Sequence, residues 1–445
     1  MPIDWESFNR NVIFTLQDLI RFDTTNPPGN ETPCAEYIRA RLAAEGIQGL
    51  VLESRPGRGN LVARLPGDGS QRPLLLMCHL DVVLAEADHW THPPFSPEIH
   101  KGYLWGRGTT DMKGMAAIWV EVLLQLKRLN LALKRDVILV GSADEEAGGV
   151  YGLSWLAQNH FDLIDAEYAI NEGAGMGTNY GKHWLFTCQT GEKGLCGLRL
   201  RANGQPGHAS IPKDGTAVSR LAGAVDRLAH ARLPLHIVPT VEGFIHALAE
   251  SMDPAEAQNT LDLLNPDREA EAMACFPDPE TRATLYAMLH NTAVPTILRA
   301  GKKINVIPSV AEAEVDCRLL PGQTAADLIA EIQAHVGRDI EIEVMYTNPG
   351  TENAFNTPLF HTIDRVMGQI IPEARVSPYL LPAATDARHL LRHGVKTYGF
   401  WPTMEIPGEP GAFAMAHAHD ERISLENLSL GTRALWEIVS QFCTE

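Results

Sequence analysis

LLLMCHLDVV, residues 74–83, joins an uninterrupted apolar run to a histidine and an aspartate. The apolar part, residues 74–78, is too short for a helix and apolar at every position, which is typical of a strand buried on both faces of a sheet. His79 and Asp81 follow directly at its carboxyl end. Ligands of an open parallel sheet bind outside the carboxyl ends of the strands, so these two side chains are candidates for a functional site.

Two further short apolar runs repeat this arrangement. Residues 137–140 lead into the acidic triplet DEE at 144–146, and residues 168–170 lead into Glu172. Apolar residues at helical spacing over 115–129 predict a helix between the run at 74–78 and the run at 137–140. The alternation of strands and helices predicts an α/β fold class with a mostly parallel, helix-covered sheet.

From about residue 191 the pattern changes to strict alternation. Residues 198–202, 312–319 and 340–344 alternate apolar and charged side chains, which is typical of half-exposed antiparallel strands. Residues 217–295 have a largely helical pattern that prolines interrupt. We therefore expect an α+β domain inserted into the first domain. The predicted bounds are 1–190 and 347–445 for the catalytic domain and 191–346 for the inserted domain.

Composition narrows the class of partner. The chain has 445 residues, and its 55 acidic against 37 basic residues disfavour nucleic acid and anionic membranes, so we expect a small-molecule substrate. The opening MPIDWESFNR lacks the apolar core of a signal peptide, and no stretch approaches the roughly 20 apolar residues of a membrane span. These features predict a cytoplasmic protein. Seven cysteines without a CxxC pair predict buried, reduced thiols.

The acids at the predicted strand ends need a partner of opposite charge. Several carboxylates in one crevice raise each other's pKa, whereas divalent cations favour the ionised form. Mixed imidazole and carboxylate ligands suit zinc, and manganese or cobalt is also accommodated. Asp111 in GRGTTDMKG (106–114), with His417 or His419 in AHAHDE (416–421), can complete the set.

Seven segments resemble, in order, the zinc aminoacylase and exopeptidase family. That family includes carboxypeptidases of the G type, aminoacylases, acetylornithine deacetylases and succinyl-diaminopimelate desuccinylases. The resemblance implies a phosphorylase/hydrolase-like catalytic domain with an inserted lid and dimerisation domain. It also implies a hydrolase that uses two divalent metal ions to cleave an amide bond next to a free carboxylate. The segments are LLLMCHLDVV, GRGTTDMKG, DEE, NEG, GQPGHAS, NVIP followed by DCR, and HAHDE.

The resemblance assigns five metal ligands. His79 and Glu172 would hold one ion, and Glu146 and His417 would hold the other. Asp111 would bridge the two ions. His417 is preferred over the second histidine of AHAHDE because it stands four residues before a glutamate, as the family histidine does.

The resemblance also assigns catalytic and substrate-contacting residues. Glu145 would be the general base, and Asp81 would fix the orientation of the first metal-binding histidine. In the inserted domain His208, Asn305 and Arg318 match residues that contact substrate. Because the family histidine at the position of His208 reaches the site from the partner subunit, a homodimer assembled through the inserted domain is implied.

Each assignment has a structural alternative. Asp111 could cap the helix that follows it, and a lone histidine such as His79 is often a hydrogen-bonded structural residue. The acids at 145–146 could be solvated loop charges. Arg318 could pair with the glutamates at 312 and 314 across the exposed sheet face.

Position 172 bears on the substrate class. The aminopeptidase and dipeptidase branches of the family tend to place Asp there, whereas acyl-amino-acid and carboxypeptidase branches place Glu. Glu172 therefore favours an N-acyl-amino acid or a C-terminal peptide bond. A dipeptidase or aminopeptidase, and a non-catalytic metal-binding scaffold of the same fold, are the alternatives.

Two features depart from the family pattern. Cys78 stands where a small residue usually precedes the histidine. The inserted domain is longer than the compact family form and resembles the long lid of the carboxypeptidase S type branch. Such a lid would suit a bulky apolar acyl group.

Overall fold

The computed structural model describes residues 3–445, so residues 1 and 2 of the predicted catalytic domain lie outside the described residues. Helices and strands alternate along most of the chain. The helices are α1 (Trp5–Ile20), α2 (Thr32–Ala43), α3 (Lys113–Leu129), α4 (Leu153–Asn159), α5 (Phe161–Ile164), α6 (Ala217–Ala229), α7 (Pro239–Glu250), α8 (Pro254–Asp262), α9 (Glu269–Ala274), α10 (Pro279–Leu289), α11 (Ala325–Val336), α12 (Pro358–Ile370), α13 (Arg388–Leu391), α14 (Ala412–Met415) and α15 (Leu425–Thr444). The strands are β1 (Gln48–Glu53), β2 (Gly59–Leu65), β3 (Leu74–His79), β4 (Glu98–His100), β5 (Tyr103–Trp105), β6 (Val137–Ser142), β7 (Tyr168–Asn171), β8 (Met176–Asn179), β9 (Trp184–Glu192), β10 (Gly194–Asn203), β11 (Gly207–His208), β12 (Thr292–Ala300), β13 (Val306–Ile307), β14 (Val310–Leu319), β15 (Ile340–Asn348), β16 (Thr351–Glu352), β17 (Ala374–Leu381), β18 (Lys396–Gly399), β19 (Thr403–Met404) and β20 (Arg422–Ser424).

Eleven strands form a large sheet whose centre is parallel. Strand β3 pairs in parallel with β6 on one side and β7 on the other, and β18 continues in parallel beside β7. Antiparallel pairs lie toward the edges, where β2 joins β1 to β6 and β8 pairs with β9. The predicted α/β fold with a mostly parallel sheet is confirmed.

Strand β3 shows how the large sheet is covered. Leu74 and Leu76 belong to one hydrophobic cluster, whereas Leu75 and Met77 belong to another. Because successive side chains of a strand point to opposite faces, the continuous apolar run supplies both clusters. Helices α1, α3 and α15 contribute to the first cluster, and α4 contributes to the second. This two-sided cover explains why the strand is apolar at every position.

A separate antiparallel sheet has the strand order β12, β14, β10, β15. One face packs on α6 and α11 through buried residues that include Leu200, Val315 and Ile332. The other face carries charged pairs, with Arg201 opposite Glu312 in the register. The predicted alternation of buried apolar and outward charged side chains is therefore present, while the numerical bounds of the two domains stay a prediction.

The sequence pattern placed helices α7 to α10 in the inserted domain, but the structure packs them against the large sheet. Val241, Leu248 and Leu285 share a cluster with Leu185 of β9 and Leu380 of β17, which are strands of the large sheet. These helices therefore pack against the large sheet, although in sequence they lie between β10 and β12 of the small one. An apolar stripe shows that a helix is covered, but it does not show which sheet covers it.

Membrane spans and cysteines were the subject of two predictions from the sequence. Within residues 3–445, no helix combines the length and the apolar character needed to cross a membrane. All seven cysteines are free thiols, and six are buried as predicted. Cys275 is exposed, because it follows the short helix α9 on the surface.

Candidate metal centre

The parallel centre of the large sheet brings three strand ends together. His79 is the last residue of β3, and Glu172 directly follows β7. After β6 the chain turns at Asp144, whose φ of 69° is left-handed, into a 3-10 turn that carries Glu145 and Glu146. Ligand atoms of His79, Glu145 and Glu172 lie within 4.8 Å of one another. The strand ends thus converge where the sequence predicted.

Asp111 lies between two histidines. Its Oδ1 is 2.9 Å from Nε2 of His79, and its Oδ2 is 3.2 Å from Nε2 of His417. Nε2 of His417 also lies 3.1 Å from Oε2 of Glu146. Nε2 of His79 lies 3.6 Å from Oε1 of Glu172. The five side chains therefore form two groups that share one carboxylate.

The second histidine of AHAHDE contacts a different acid. Nε2 of His419 lies 3.5 Å from Oε2 of Glu86, a residue of the exposed loop that follows β3. His417 has a left-handed φ of 64° and faces the shared carboxylate instead. His417, the histidine that the sequence favoured, therefore lies beside Asp111 and Glu146, whereas His419 lies beside Glu86.

The donor set fits divalent metal ions. Ligand atoms of His79, Asp111 and Glu146 lie within 4.8 Å of one another, as metal ligands do. Oε1 of Glu146 is buried without a hydrogen-bond partner among the described residues, although a buried polar atom normally has one. Imidazole nitrogen and carboxylate oxygen are ligands that zinc accepts. The distances alone also admit Glu145 as a ligand, so its role as an unligated base depends on the family resemblance.

Burial of so many acids shifts their proton affinities. Burial, reinforced by the Glu172 carboxylate, raises the pKa of Glu145 well above its ordinary value. Burial also raises the pKa of Glu172 to about 7. Hydrogen bonds to Asp111 and Glu146 raise the pKa of His417 to about 10. Divalent cations would oppose these shifts, because they favour ionised carboxylates and neutral imidazoles.

Asp81 contacts His79 and also the turn that carries Glu145 and Glu146. Its backbone oxygen lies 3.0 Å from Nδ1 of His79, nearer than its carboxylate Oδ1 at 3.5 Å. The carboxylate accepts hydrogen bonds from the backbone N–H groups of Glu145 and Glu146, each at 3.1 Å. It also accepts one from the Asn26 side chain at 2.9 Å. Asp81 therefore holds the predicted ligands of both groups in one frame.

Residues near the N-terminus support the acidic turn, and sequence analysis missed them. The guanidinium of buried Arg58 lies 2.5 Å from Oδ1 of Asp144 and 3.1 Å from Oε1 of Glu31. Nδ2 of Asn26 donates to Oδ1 of Asp144 at 3.2 Å. The available signal was TTNPPG, residues 24–29, since an asparagine before two prolines favours an ordered turn.

A cavity of about 680 Å³ opens beside the acidic residues. This volume lies within the range of about 300 to 1,000 Å³ that small-molecule sites occupy. Arg318 and Arg388 contribute cationic side chains to its wall. Its acidic side includes Asp111, Glu145, Glu146 and Glu172, and His417 lies beside them. Its apolar side includes Met176, Leu195, Leu381, Trp401, Met404, Ile406 and Met415.

Arg318 reaches this cavity from the inserted sheet. Its Nε and Nη2 lie 2.7 and 3.2 Å from the carboxylate oxygens of Asp316, two residues earlier on β14. The alternative partner Glu312 pairs with Arg201. Arg318 therefore does form an ion pair on the sheet, but its partner is Asp316 of the same strand and not the expected Glu312.

The other two predicted substrate contacts lie outside the cavity wall. His208, on β11, and Asn305, just before β13, are both exposed. The backbone oxygen of Asn305 accepts a hydrogen bond from the N–H of Ala209 at 3.1 Å, which keeps the two residues close together. Neither belongs to the described residues that line the cavity of the same chain.

The sequence around these side chains matches a known protein family. The pattern of peptidase family M20/M25/M40 matches residues 75–441, a span that includes the five grouped side chains. The chain belongs to peptidase family M20/M25/M40. This M20 chain is accordingly a metallo-amidohydrolase that acts on amide or peptide bonds, the enzyme class that the sequence predicted.

Relatives of similar sequence span most of the M20 chain. The N-fatty-acyl-amino acid synthase/hydrolase PM20D1 of Mus musculus is 28% identical over 427 residues, which cover 91% of this chain and 81% of that protein. The probable carboxypeptidase S-like 2 of Dictyostelium discoideum is 28% identical, covering 81% and 70%. Aminoacylase-1 of Pongo abelii is 25% identical, covering 96% and 94%. The predicted resemblance to aminoacylases and to the carboxypeptidase S branch is confirmed.

Solved structures share the fold over nearly the whole length. The M20 family metallo-carboxypeptidase Sso-CP2 from Sulfolobus solfataricus has a TM-score of 0.72 at 18% identity, covering 98% of this chain and 99% of that one. The Bacillus subtilis YXEP protein, described as a dinuclear metal binding peptidase of the M20 family, has a TM-score of 0.63 at 13% identity, covering 99% of that chain and 98% of this one. These likenesses confirm the predicted fold class.

Proposed function

We propose that this M20 chain hydrolyses N-acyl-amino acids that carry an apolar acyl group, and that it does so with two divalent cations, zinc in the first instance. The observation that carries the proposal is the Asp111 carboxylate, whose two oxygens face His79 and His417 beside a cavity with acidic, cationic and apolar walls. Manganese or cobalt would fit the same ligands.

The five grouped side chains would hold the cations. His79 and Glu172 would bind one ion, Glu146 and His417 would bind the other, and Asp111 would contact both. When bound, such a pair of ions makes water more acidic and polarises a carbonyl oxygen.

Glu145 would move the proton during hydrolysis. It lines the cavity, and burial raises its pKa well above the ordinary value of a glutamate. Its carboxylate would take a proton from the attacking water and deliver it to the nitrogen of the leaving amine. General acid–base transfer of this kind contributes about 100- to 10,000-fold in rate.

The remaining cavity walls match the two ends of the substrate. The apolar wall, which includes Met404 and Ile406, would take the acyl group, because burial of apolar surface favours binding. Arg318 and Arg388 would face the free carboxylate, since guanidinium groups bind carboxylates through paired hydrogen bonds. The relatives named as N-fatty-acyl-amino acid hydrolase and aminoacylase support this substrate class.

We also propose that two copies assemble through the inserted domain, residues 191–346, so that His208 of the partner subunit stabilises the oxyanion and Asn305 contacts substrate. β12 is an edge strand of the inserted sheet, and it exposes Val294 and Leu298. Exposed apolar side chains on an unpaired edge strand favour pairing with another chain. The cytoplasmic location stays a prediction from the sequence.

The test is a substrate panel with the metal-supplemented full chain. It includes N-acyl-amino acids of increasing acyl length, their carboxamide derivatives, and dipeptides with free or acetylated amines. We expect turnover of the N-acyl-amino acids, loss of turnover with a chelator, and recovery when zinc is restored. Turnover confined to substrates with a free amine would instead assign the chain to the dipeptidases or aminopeptidases.

Two variants separate catalysis from mere metal binding. Glu145→Gln should lower turnover at least 100-fold while metal content is retained, because the amide cannot accept the proton. Glu36→Gln, at a half-exposed acid of α2 that pairs with Arg39, is the matched control and should keep full activity. If wild type binds metal but turns over no member of the panel, the non-catalytic scaffold becomes the better description.

A further inference from the structure

Glu421 is a fully buried carboxylate that lies outside the set of residues assigned so far. Its Oε1 accepts hydrogen bonds from the backbone N–H groups of Thr110 and Asp111, at 2.7 and 3.1 Å. Its Oε2 accepts from the N–H of Gly108 at 2.9 Å and from Nη1 of Arg107 at 2.7 Å. One side chain thus holds the whole segment that carries the shared carboxylate.

Arg107 connects the same carboxylate to the loop of the second histidine ligand. The guanidinium is buried, and its Nη2 donates to the backbone oxygen of His417 at 3.4 Å and to that of Leu84 at 3.3 Å. Glu421 itself stands four residues after His417. The Arg107–Glu421 pair therefore spans both segments that face each other across the proposed metal centre.

The two groups of ligands have unequal support from the fold. His79 and Glu172 sit at the ends of neighbouring strands of the large sheet, and the side chain of His79 is 1% exposed. His417 lies in a loop with a left-handed φ of 64°, and its side chain is 56% exposed. The loop position of His417 depends on contacts such as those of Arg107 and Glu421.

We propose that Glu421 and Arg107 are positioning residues that set the placement of His417 relative to Asp111, so that breaking their ion pair weakens the Glu146–His417 metal site selectively. The inference rests on the proposed function, because it assumes that the grouped side chains bind two ions. The site of His79 and Glu172 shares Asp111, but its other two ligands stand at the ends of paired strands, so this site loses less affinity. Partners that orient ligands typically contribute about 10- to 100-fold to metal affinity or activity.

The test measures metal binding directly. Zn²⁺ is titrated into the metal-free full chain against a competing chelator, and Co²⁺ absorption follows the two sites separately. For Glu421→Gln we expect the dissociation constant of the Glu146–His417 site to rise about 10- to 100-fold. The dissociation constant of the His79–Glu172 site should change little. The amide nitrogen of glutamine cannot accept from Gly108 or Arg107, so part of the hydrogen-bond set is lost.

Glu121→Gln is the matched control. Glu121 is another fully buried carboxylate, on α3, and it pairs with Arg41 at 2.5 Å and with the hydroxyl of Thr15 at 2.7 Å. It lies about two helical turns from the start of α3, away from the ligands. We expect both variants to lower the melting temperature, but only Glu121→Gln to keep both metal affinities.

Arg107→Lys supplies a second variant in case Glu421→Gln does not fold. It keeps the positive charge but loses the two-nitrogen fork, and it should also weaken one metal site selectively. The inference is overturned if both dissociation constants stay unchanged in the folded variants, or if both rise equally. Failure of wild type to bind any Zn²⁺ or Co²⁺ would overturn the proposed function itself, which distinguishes the two failures.

Discussion

Oδ1 of Asp81 lies 3.1 Å from the backbone nitrogen of Glu145 and accepts its hydrogen bond. Oδ2 accepts a second one from the backbone of Glu146. Asp81, two residues beyond the end of β3, therefore fixes the turn that follows β6. For Asp81→Asn we expect kcat to fall about 10- to 100-fold, because one carboxamide cannot accept from both N–H groups.

Steady-state kinetics and metal content would check this expectation. Asp136→Asn is a suitable control, since Asp136 also accepts from a backbone N–H, that of Gly67 at 2.8 Å, but lies outside the cavity. Unchanged kcat in Asp81→Asn would show that the acidic turn holds its position without the carboxylate.

The two arginines of the cavity predict how the substrate carboxylate is recognised. We expect Arg388→Met and Arg318→Met each to raise KM for an N-acyl-amino acid by roughly ten- to hundredfold, the value of a charge-assisted hydrogen bond. KM for the matching carboxamide should hardly change, because it carries no negative charge. Arg299→Met, an exposed arginine that pairs with Glu314 on the same sheet, should leave both values unaltered. An equal loss for acid and amide would contradict carboxylate recognition.

Glu192 predicts a pH dependence of stability. Burial raises its pKa from 4.5 to about 7, and it accepts hydrogen bonds from the N–H and hydroxyl of Thr385. The folded state therefore keeps this proton where the unfolded chain has lost it, so stability is highest below about pH 4.5 and falls as the pH rises through about 7. The difference amounts to about 3 kcal/mol for a shift of this size.

Glu192→Gln removes that proton equilibrium. We expect its free energy of unfolding, relative to wild type, to increase between about pH 5 and pH 8. Denaturant titrations of both proteins across this range would measure the change, and all other titrating groups cancel in the comparison. A constant difference across the range would show that Glu192 is already ionised in the folded protein.

The exposed position of His208 predicts complementation between subunits. In a homodimer whose sites borrow this histidine, His208→Ala and Glu145→Gln should each be inactive alone. When the two variants are co-expressed, half of the dimers regain one intact site, so activity should return to about one quarter of wild type. No recovery in purified mixed dimers would place the histidine's role within its own chain.

Local sequence patterns were enough to predict the parallel strands of the large sheet and much of the candidate metal centre. The apolar run before His79 predicted a buried strand, and the same pattern before Glu172 predicted its parallel neighbour. Because parallel strands end at one edge of a sheet, the convergence of His79 and Glu172 followed without further information. The placement of α7 to α10 on the large sheet did not follow, since a helical pattern does not name the surface that covers it.

Residue order and periodicity thus sufficed for the parallel centre, the inserted antiparallel sheet and the acids at the strand ends, because each depends on neighbours within a few positions along the chain. The supports of the site depend on contacts between distant segments. Asp81 and Glu145 are 64 positions apart, and Asp111 and Glu421 are 310 apart. Hydrogen bonds of this kind leave no periodic trace in a sequence, since they form only after the packed sheet has brought the loops together.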